Sequence, residues 1–334
     1  MVGGKLRHVE KLVLSGLELD ARTPLSRLGR RIRKSQQQVS YTANSLAEKG
    51  VIRGFYALVD YSKLNVLNFR VYFKVSYINK EKYHELIDYI VAEPYTSWVA
   101  TCGGTYDLIC TFFTLNPSRF NKLLKAILAK FPRQLQNYTV LTTIVVRKFG
   151  RKYLLKNPST MPEIIFGGDR KPEDVDDTDM RIMDELAEDA RKSSVDISRD
   201  LSVTSKTVIE RIRRLRRREI ILGFKPLVNP RRMDYIPILL MIRYHNITPE
   251  LENGLIGYLK RHPNVTWVSK TIGEWDIEIS IEAKDTMELR NIEMEIRQRF
   301  VSLIQQTESI PIYKNHKKNF FPRFLIERYS ANKK

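Results

Sequence analysis

The segment Gly50 to Asp60, GVIRGFYALVD, returns as EIILGFKPLVN at Glu219 to Asn229, with Gly54 and Gly223 separated by 169 residues. The same displacement carries Asp20-Ala21-Arg22 onto Asp189-Ala190-Arg191, Pro94 onto Pro263 and Trp98-Val99 onto Trp267-Val268. It also carries Gly104 onto Gly273 and Asp107 onto Asp276. One offset held without a gap through separated landmarks reads as a duplication. Any fold for this chain must therefore be one two-part unit built twice. A length of 334 residues leaves room for four small domains.

Within each copy the hydrophobic periodicity is helical first and strand-like later. Leu6, Val9, Val13, Leu14 and Leu17 fall at helical spacing. Pro24 suits the first turn of a second helix with Thr23 as its N-cap, and Leu25, Leu28 and Ile32 form its apolar face. Ser35 caps a third helix over Gln36 to Lys49, and Gly50 ends it as the left-handed C-terminal residue. Val39, Ala43 and Leu46 share one face of that helix, and the copy keeps the stripe as Val208, Ile212 and Leu215. Three short helices followed by an extended segment describe a winged helix-turn-helix.

The third helices differ on their outer faces. In copy one Gln36, Gln37, Tyr41 and Asn44 lie opposite the apolar stripe, near Arg30, Arg31 and Lys34 of the second helix and turn. Gln and Asn amides pair bidentately with adenine in a major groove. Copy two, capped by Thr204, presents Lys206, Thr207, Arg211, Arg213, Arg214 and Arg217, with Arg216 and Arg218 beside them and Glu210 as the lone acid of the helix. A solvated helix ordinarily mixes signs to gain i,i+4 pairs, so this run favours a phosphate-facing surface. The whole chain carries a formal net charge of +19, which calls for a polyanionic partner, double-stranded DNA first. No apolar run reaches the roughly 18 residues a membrane span requires. The N-terminus lacks a secretory core, and Cys102 and Cys110 are too few for a disulfide framework, so a reduced cytoplasmic protein without metal or other cofactor is expected.

After each helical module the pattern becomes βαββαβ. Strands are expected over Leu67 to Ile78, Thr96 to Cys102, Tyr106 to Thr114 and Asn137 to Arg147, with helices over Glu81 to Ala92 and Pro117 to Lys130. In copy two they fall over Tyr235 to Tyr244, Val265 to Thr271, Trp275 to Ala283 and Ser302 to Tyr313, with helices at Pro249 to Arg261 and Asp285 to Phe300. This order is a ferredoxin-like sandwich whose sheet is covered by helices on one face only. The open apolar faces of the two sheets are expected to pack face to face as an internal pseudo-dimer. The α+β chain thus divides into a winged helix-turn-helix (1–60), an αβ domain (65–150), a linker (151–175), a second winged helix-turn-helix (176–229), a second αβ domain (233–313) and a basic tail (314–334). The acids Glu173, Asp174, Asp176, Asp177 and Asp179 open the second module, where they suit a helix N-terminus. The tail either docks on protein or reaches a phosphate backbone.

The pairing of a helix-turn-helix with Gly50 to Asp60, then βαββαβ bearing Gly104-Thr105-Tyr106-Asp107, resembles the Lrp/AsnC family of transcriptional regulators. Copy two repeats the match with Glu219 to Asn229 and Gly273-Glu274-Trp275-Asp276. The resemblance implies DNA-binding modules joined to ligand-sensing (RAM-type) αβ domains that dimerise and respond to an amino acid or another small effector. It also implies homodimers or larger oligomers of the pseudo-dimeric chain. It places an effector pocket at the sheet interface around Cys102, Gly103, Gly104, Tyr106 and Asp107, and around Ile272, Gly273, Trp275 and Asp276. Asp107 and Asp276 could hold an effector's ammonium or close the hairpin through backbone N–H groups. A regulator without an effector fits the residues equally. The departures from the family are the fused second copy, the diverged recognition surfaces, and Glu219 where copy one has its helix-ending glycine. Two other functions compete. Siroheme decarboxylases resemble the same paired architecture, but no catalytic set emerges, with His84, His245, His262 and His316 scattered. A non-specific architectural or RNA-associated protein needs exposed stacking aromatics, for which Tyr41 is the one clear candidate.

Overall fold

The structure, a computed structural model, describes residues 4–76, 79–155 and 161–326. The first module is built from α1 (His8–Leu19), α2 (Leu25–Ile32), α3 (Gln36–Glu48) and β1 (Ile52–Val59). Ser35 caps α3, its side chain accepting from the Gln38 backbone N–H at 3.1 Å. The Thr23 cap does not form. Pro24 itself occupies the N-cap position of α2 in an extended conformation, so the helix begins one residue later than expected.

β2 (Leu67–Lys74), α4 (Lys80–Ala92), β3 (Thr96–Cys102), β4 (Leu108–Thr114), α5 (Pro117–Lys130) and β5 (Asn137–Lys148) complete copy one. The end of the strand expected at Leu67 to Ile78 lies outside the described residues. After β6 (Ile164–Gly167) the pattern repeats as α6 (Asp177–Glu188), α7 (Ser194–Asp200), α8 (Ser205–Arg217) and β7 (Ile221–Val228). It ends with β8 (Ile236–Tyr244), α9 (Pro249–Arg261), β9 (Val265–Ile272), β10 (Ile277–Ala283), α10 (Thr286–Arg299) and β11 (Ile304–Lys318).

The duplication is kept at the level of single hydrogen bonds. The Ala21 N–H donates to the Phe224 carbonyl at 2.9 Å, and Ala190, its counterpart, donates to Phe55 at 3.0 Å. Asp60 N–H reaches the Ile220 carbonyl at 2.9 Å, and Asn229 reaches Val51 at 2.8 Å. Between these contacts β1 and β7 pair antiparallel, so the two winged modules share one two-stranded ladder. Arg22 stacks over the Phe224 ring at 5.4 Å while Arg191 stacks over Phe55 at 5.2 Å.

Each αβ half has its strands in ferredoxin order, β5-β2-β4-β3 and β11-β8-β10-β9. The two sheets confront each other across a core of Tyr72, Ile109, Leu141, Met241, Trp275 and Ile310. They are also joined edge to edge, β3 to β11 and β9 to β5, so eight strands close into a barrel. Closure consumes all four sheet edges, which would otherwise present unpaired backbone groups. Inside this core Arg70 of β2 pairs with Glu278 of β10, and Tyr72 donates to the same carboxylate.

Two segments depart from the expected organisation. Where a linker was expected, the apolar run Ile164-Ile165-Phe166 forms β6 and adds to β5 beside the barrel. The Gly167 N–H donates to Asp60 Oδ1 at 3.0 Å, tying this strand to the end of β1. The start of the tail docks on the chain itself. Phe320 stacks on Tyr56 at 4.4 Å, Phe324 stacks on Tyr95 at 4.6 Å, and Arg323 pairs with Asp184 at 2.7 Å and with Glu188. Its remainder lies outside the described residues.

Both third helices end in a Schellman turn. Val51 N–H bonds the Leu46 carbonyl and Gly50 N–H the Ala47 carbonyl, with Ile220 to Leu215 and Glu219 to Arg216 repeating the pattern. The pivot residue is left-handed in each, φ 69° at Gly50 and 55° at Glu219. A β-carbon at Gly50 meets only the Arg232 side chain at ordinary contact distance. Glu219→Gly should therefore raise stability, and Gly50→Ala lower it, by about 1 kcal/mol each. Urea unfolding of the two variants checks both signs.

Candidate functional site

Two helices of the helix-turn-helix modules carry the candidate surface. The turn into α3 passes through left-handed Arg33 and that into α8 through left-handed Ser202, equivalent positions in the repeat. Lys34 N–H then returns to the Gly29 carbonyl at 2.8 Å, which brings the start of α3 against α2. Val39 and Leu46 of α3, and Val208, Ile212 and Leu215 of α8, face the cores. That orientation turns Gln36, Gln37, Tyr41 and Asn44 outward on α3, with Arg30 and Arg31 exposed and Lys34 half-buried at its entrance. Tyr41 is 72% exposed, a large aromatic side chain held in solvent on a helix otherwise presenting amides.

On α8 the basic residues divide into two groups. Lys206, Arg213 and Arg217 are exposed, and among the described residues none has a carboxylate partner. Thr207 is half-buried, its N–H donating to the capping Thr204 Oγ1 at 3.0 Å. Arg211 and Arg214, grouped with the DNA-facing residues on sequence grounds, turn instead toward α6. Arg211 pairs with Asp176 and, at 3.2 Å, with Asp179; Arg214 pairs with Asp179. Arg218 is likewise held by Glu173 at 2.8 Å. The acids before and within α6 thus fasten α8 from behind as well as capping α6, where Asp176 accepts from the Asp179 N–H at 2.9 Å. Burial pushes the Asp176 carboxyl up, but the Arg211 and backbone N–H bonds outweigh it and leave the group below its ordinary value. Spacing alone could not separate the two sets of arginines, because all of them lie beyond the apolar stripe.

The hairpins singled out as an effector site sit at the far end of the barrel from the helices. Asp107 accepts from the Val75 N–H at 2.9 Å and Asp276 from the Tyr244 N–H at 2.7 Å, equivalent bonds in the two copies. Lys74 also reaches Asp107 at 3.2 Å. The Tyr106 and Trp275 rings turn into the barrel core, and Trp275 is only 2% exposed. A β-carbon on Gly103 would strike the Tyr313 hydroxyl, and one on Gly273 the Val140 carbonyl and Leu141, so each hairpin lies tight against the other copy's fourth strand. Gly104 is left-handed at φ 89° and completes the reversal. Thr105 and Tyr106 border an open cleft of about 560 Å³ with Lys74, Asn137, Tyr138 and Thr139.

A smaller, more enclosed cavity opens at the opposite end of the barrel, beneath the β1–β7 ladder, and sequence reasoning did not find it. Trp98 and Trp267, equivalent in the repeat, line it together with Arg70, Lys148, Arg151 and Lys318. Trp98 and Trp267 stood out in the sequence only as landmarks of the duplication, and Lys318 only as part of a basic tail. Among the described residues no three His, Cys, Asp or Glu side chains cluster as metal ligands, and no helix is long and apolar enough to cross a membrane.

Comparison with known proteins agrees with this architecture. Residues 175–216 match the AsnC-type helix-turn-helix domain. The HTH-type transcriptional regulator Ptr1 of Methanocaldococcus jannaschii is 30% identical over 102 residues, 30% of this chain and 68% of that protein. The regulator FL11 of Pyrococcus furiosus is 29% identical over 118 residues, 35% of this chain and 76% of its own length. The chain belongs to the Lrp/AsnC family of transcriptional regulators, with two family units fused in one polypeptide. Among solved structures, the siroheme decarboxylase NirDL shares the fold at a TM-score of 0.61 and 15% identity, over 98% of this chain and all of that one.

The division of the α8 arginines gives a direct test. Asp179 is fully buried between two half-exposed guanidinium groups, so Asp179→Asn should cost about 2 kcal/mol once solvent screening of its partners is allowed for. Arg213→Ala should change stability by less than about 0.5 kcal/mol. Equilibrium unfolding measures both, and equal losses would contradict the division.

Proposed function

We propose that the chain is a cytoplasmic transcription regulator that binds duplex DNA sequence-specifically through two unlike recognition helices. The observation that carries this reading is the mounting of α3 and α8 on one shared ladder. One exposes amides and the other exposes uncompensated cations, on a chain of net charge +19. Arg30, Arg31, Lys34, Lys206, Thr207, Arg213 and Arg217 take phosphates and set the register. Gln36, Gln37 and Asn44 read base edges, with Tyr41 packing beside them. Arg211 and Arg214 position α8 through their aspartates. Because the helices differ, the half-site read by one chain is asymmetric, and a two-fold dimer of chains reads a palindrome of such half-sites.

Selection of bound sequences from a random duplex pool, followed by footprinting, tests the proposal. A preferred sequence is expected, with affinity that falls steeply with salt. Arg213→Ala/Arg217→Ala should weaken binding to every sequence and reduce the salt slope by about 2. Gln37→Ala should relax preference at one base pair, by about 1–3 kcal/mol of discrimination. Uniform protection of random DNA would reject the specific-regulator reading in favour of an architectural one.

The fold shared with the siroheme decarboxylase NirDL gives a second reading its one support. Siroheme added to the purified chain separates the two. Soret binding with release of carbon dioxide supports the enzyme, and the regulator predicts neither.

A further inference from the structure

The cavity beneath the winged-helix pair has an electrostatic composition that the protein leaves unbalanced. Its floor is the end of the barrel, where Arg70, Trp98 and Trp267 project, and its roof is β1 with Tyr56 and β7 with Pro226 to Val228. Four cations line it against three carboxylates, all three held by the two arginines, which leaves a surplus of one positive charge and two lysines without a carboxylate of their own. Arg70 is paired with Glu278, and Arg151 is paired with Glu18 and, at 2.8 Å, with Glu282. Lys148 and Lys318 have no carboxylate and no hydrogen-bond acceptor among the described residues. Instead their ammonium groups lie over aromatic rings. Lys148 stands 5.3 Å from the Trp267 centroid, and Lys318 stands 6.0 Å from Trp98, 5.9 Å from Trp267 and 5.7 Å from Phe320.

Lys318 is enclosed by protein yet keeps exposed surface, because it faces the empty space. Burial lowers Lys148 to about 7 and Lys318 to about 8, and the neighbouring Arg151 pushes both the same way against the pull of Glu18 and Glu282. Two partly desolvated lysines without a carboxylate of their own are costly, and an anion entering between them offsets part of that cost. The indoles of Trp98 and Trp267, at equivalent positions of the repeat, offer aromatic surface beside the two ammonium groups, with Arg70 already over Trp98 at 5.1 Å. The cavity volume of about 150 Å³ is below the roughly 300–1,000 Å³ that drug-sized ligands occupy, so the ring system is small.

We infer that this cavity binds a small aromatic acid with two anionic groups, held by Lys148 and Lys318 against Trp98 and Trp267, and that its occupancy alters DNA affinity. The second half rests on the regulator reading. The roof strands lead directly out of α3 and α8, so a ligand touching them shifts the one ladder that fixes the helices relative to each other.

Benzene-1,3-dicarboxylate serves as the probe, with benzoate, cyclohexane-1,3-dicarboxylate and benzene-1,3-dimethanol as controls for the second charge, the ring and both charges. On the full chain, titration by the dicarboxylate should quench tryptophan fluorescence saturably, and each control should bind more weakly. Lys148→Met and Lys318→Met should each weaken binding about tenfold or more. Lys148→Arg should restore most of it, and Lys314→Met on the exposed part of β11 should leave it unchanged. Circular dichroism confirms that each variant is folded, and the arginine variant keeps the test decisive if Lys148→Met is not. Anisotropy of a selected labelled duplex should shift by about fivefold or more in affinity on saturation with the dicarboxylate. Absence of quenching, or quenching indifferent to both lysines, overturns the site. Binding without any change in DNA affinity overturns its regulatory role. If the chain binds dicarboxylate but prefers no duplex sequence, the site stands and the regulator reading fails.

Discussion

A four-stranded sheet covered by helices on one side leaves two edges and one apolar face without partners, and each copy of this chain carries such a sheet. The edges are the more demanding problem, because unpaired backbone N–H and carbonyl groups along a strand recruit any other strand. The chain meets it by pairing β3 with β11 and β5 with β9, so that the fourth strand of each copy bridges to the second strand of the other. Face-to-face burial of Tyr72, Leu141, Met241 and Trp275 follows from that closure. The same logic operates among the winged modules, where the lone strand of each copy would be marginal and the β1–β7 ladder makes a sheet of two. Neither half is a complete domain without the other.

Fusion changes what such an interface can contain. In a symmetric homodimer every contact occurs twice, and a residue must suit both of its places. Here the copies have separate codons. Arg70 meets Glu278 on one side of the barrel, while the equivalent places on the other side hold Leu239 and Ile109, both buried and apolar. If copy one of one chain paired with copy one of another, Arg70 would face Ile109 with no carboxylate. A buried charge without its partner costs about 3–5 kcal/mol, so the ion pair disfavours homotypic exchange more than it stabilises the fold. Divergence of the recognition helices becomes possible for the same reason, since the partner of each is fixed by the polypeptide.

Much of this was legible in the sequence, and the exceptions share a cause. The repeat, the strand and helix order, the Ser35 and Thr204 caps and the left-handed end at Gly50 depend on residues within a few positions of each other. Edge closure of the barrel, the addition of β6 and the docking of Phe320 and Phe324 depend on contacts between distant segments, which periodicity does not encode. The cavity was hidden for a further reason. Lys148 and Lys318 lie 170 residues apart in sequence at the ends of two strands, and only the fold shows that those ends converge under the ladder.

The position of that cavity bears on how a barrel could influence helices that do not touch its interior. Tyr56 of β1 lines the cavity and stacks on Phe320, and Phe320 lies 5.8 Å from Trp267, centroid to centroid. Lys318 sits over Phe320 and over both tryptophans. A change in the charge balance around Lys318 therefore acts on a set of rings that includes a residue of the ladder itself. Small shifts there are not absorbed locally, because Ala57 and Leu58, the next residues of β1, are fully buried in close-packed surroundings. A displacement at Tyr56 would be passed across the ladder to its partner strand β7. Tyr56 thus joins the cavity to the strand pair on which both winged modules are built.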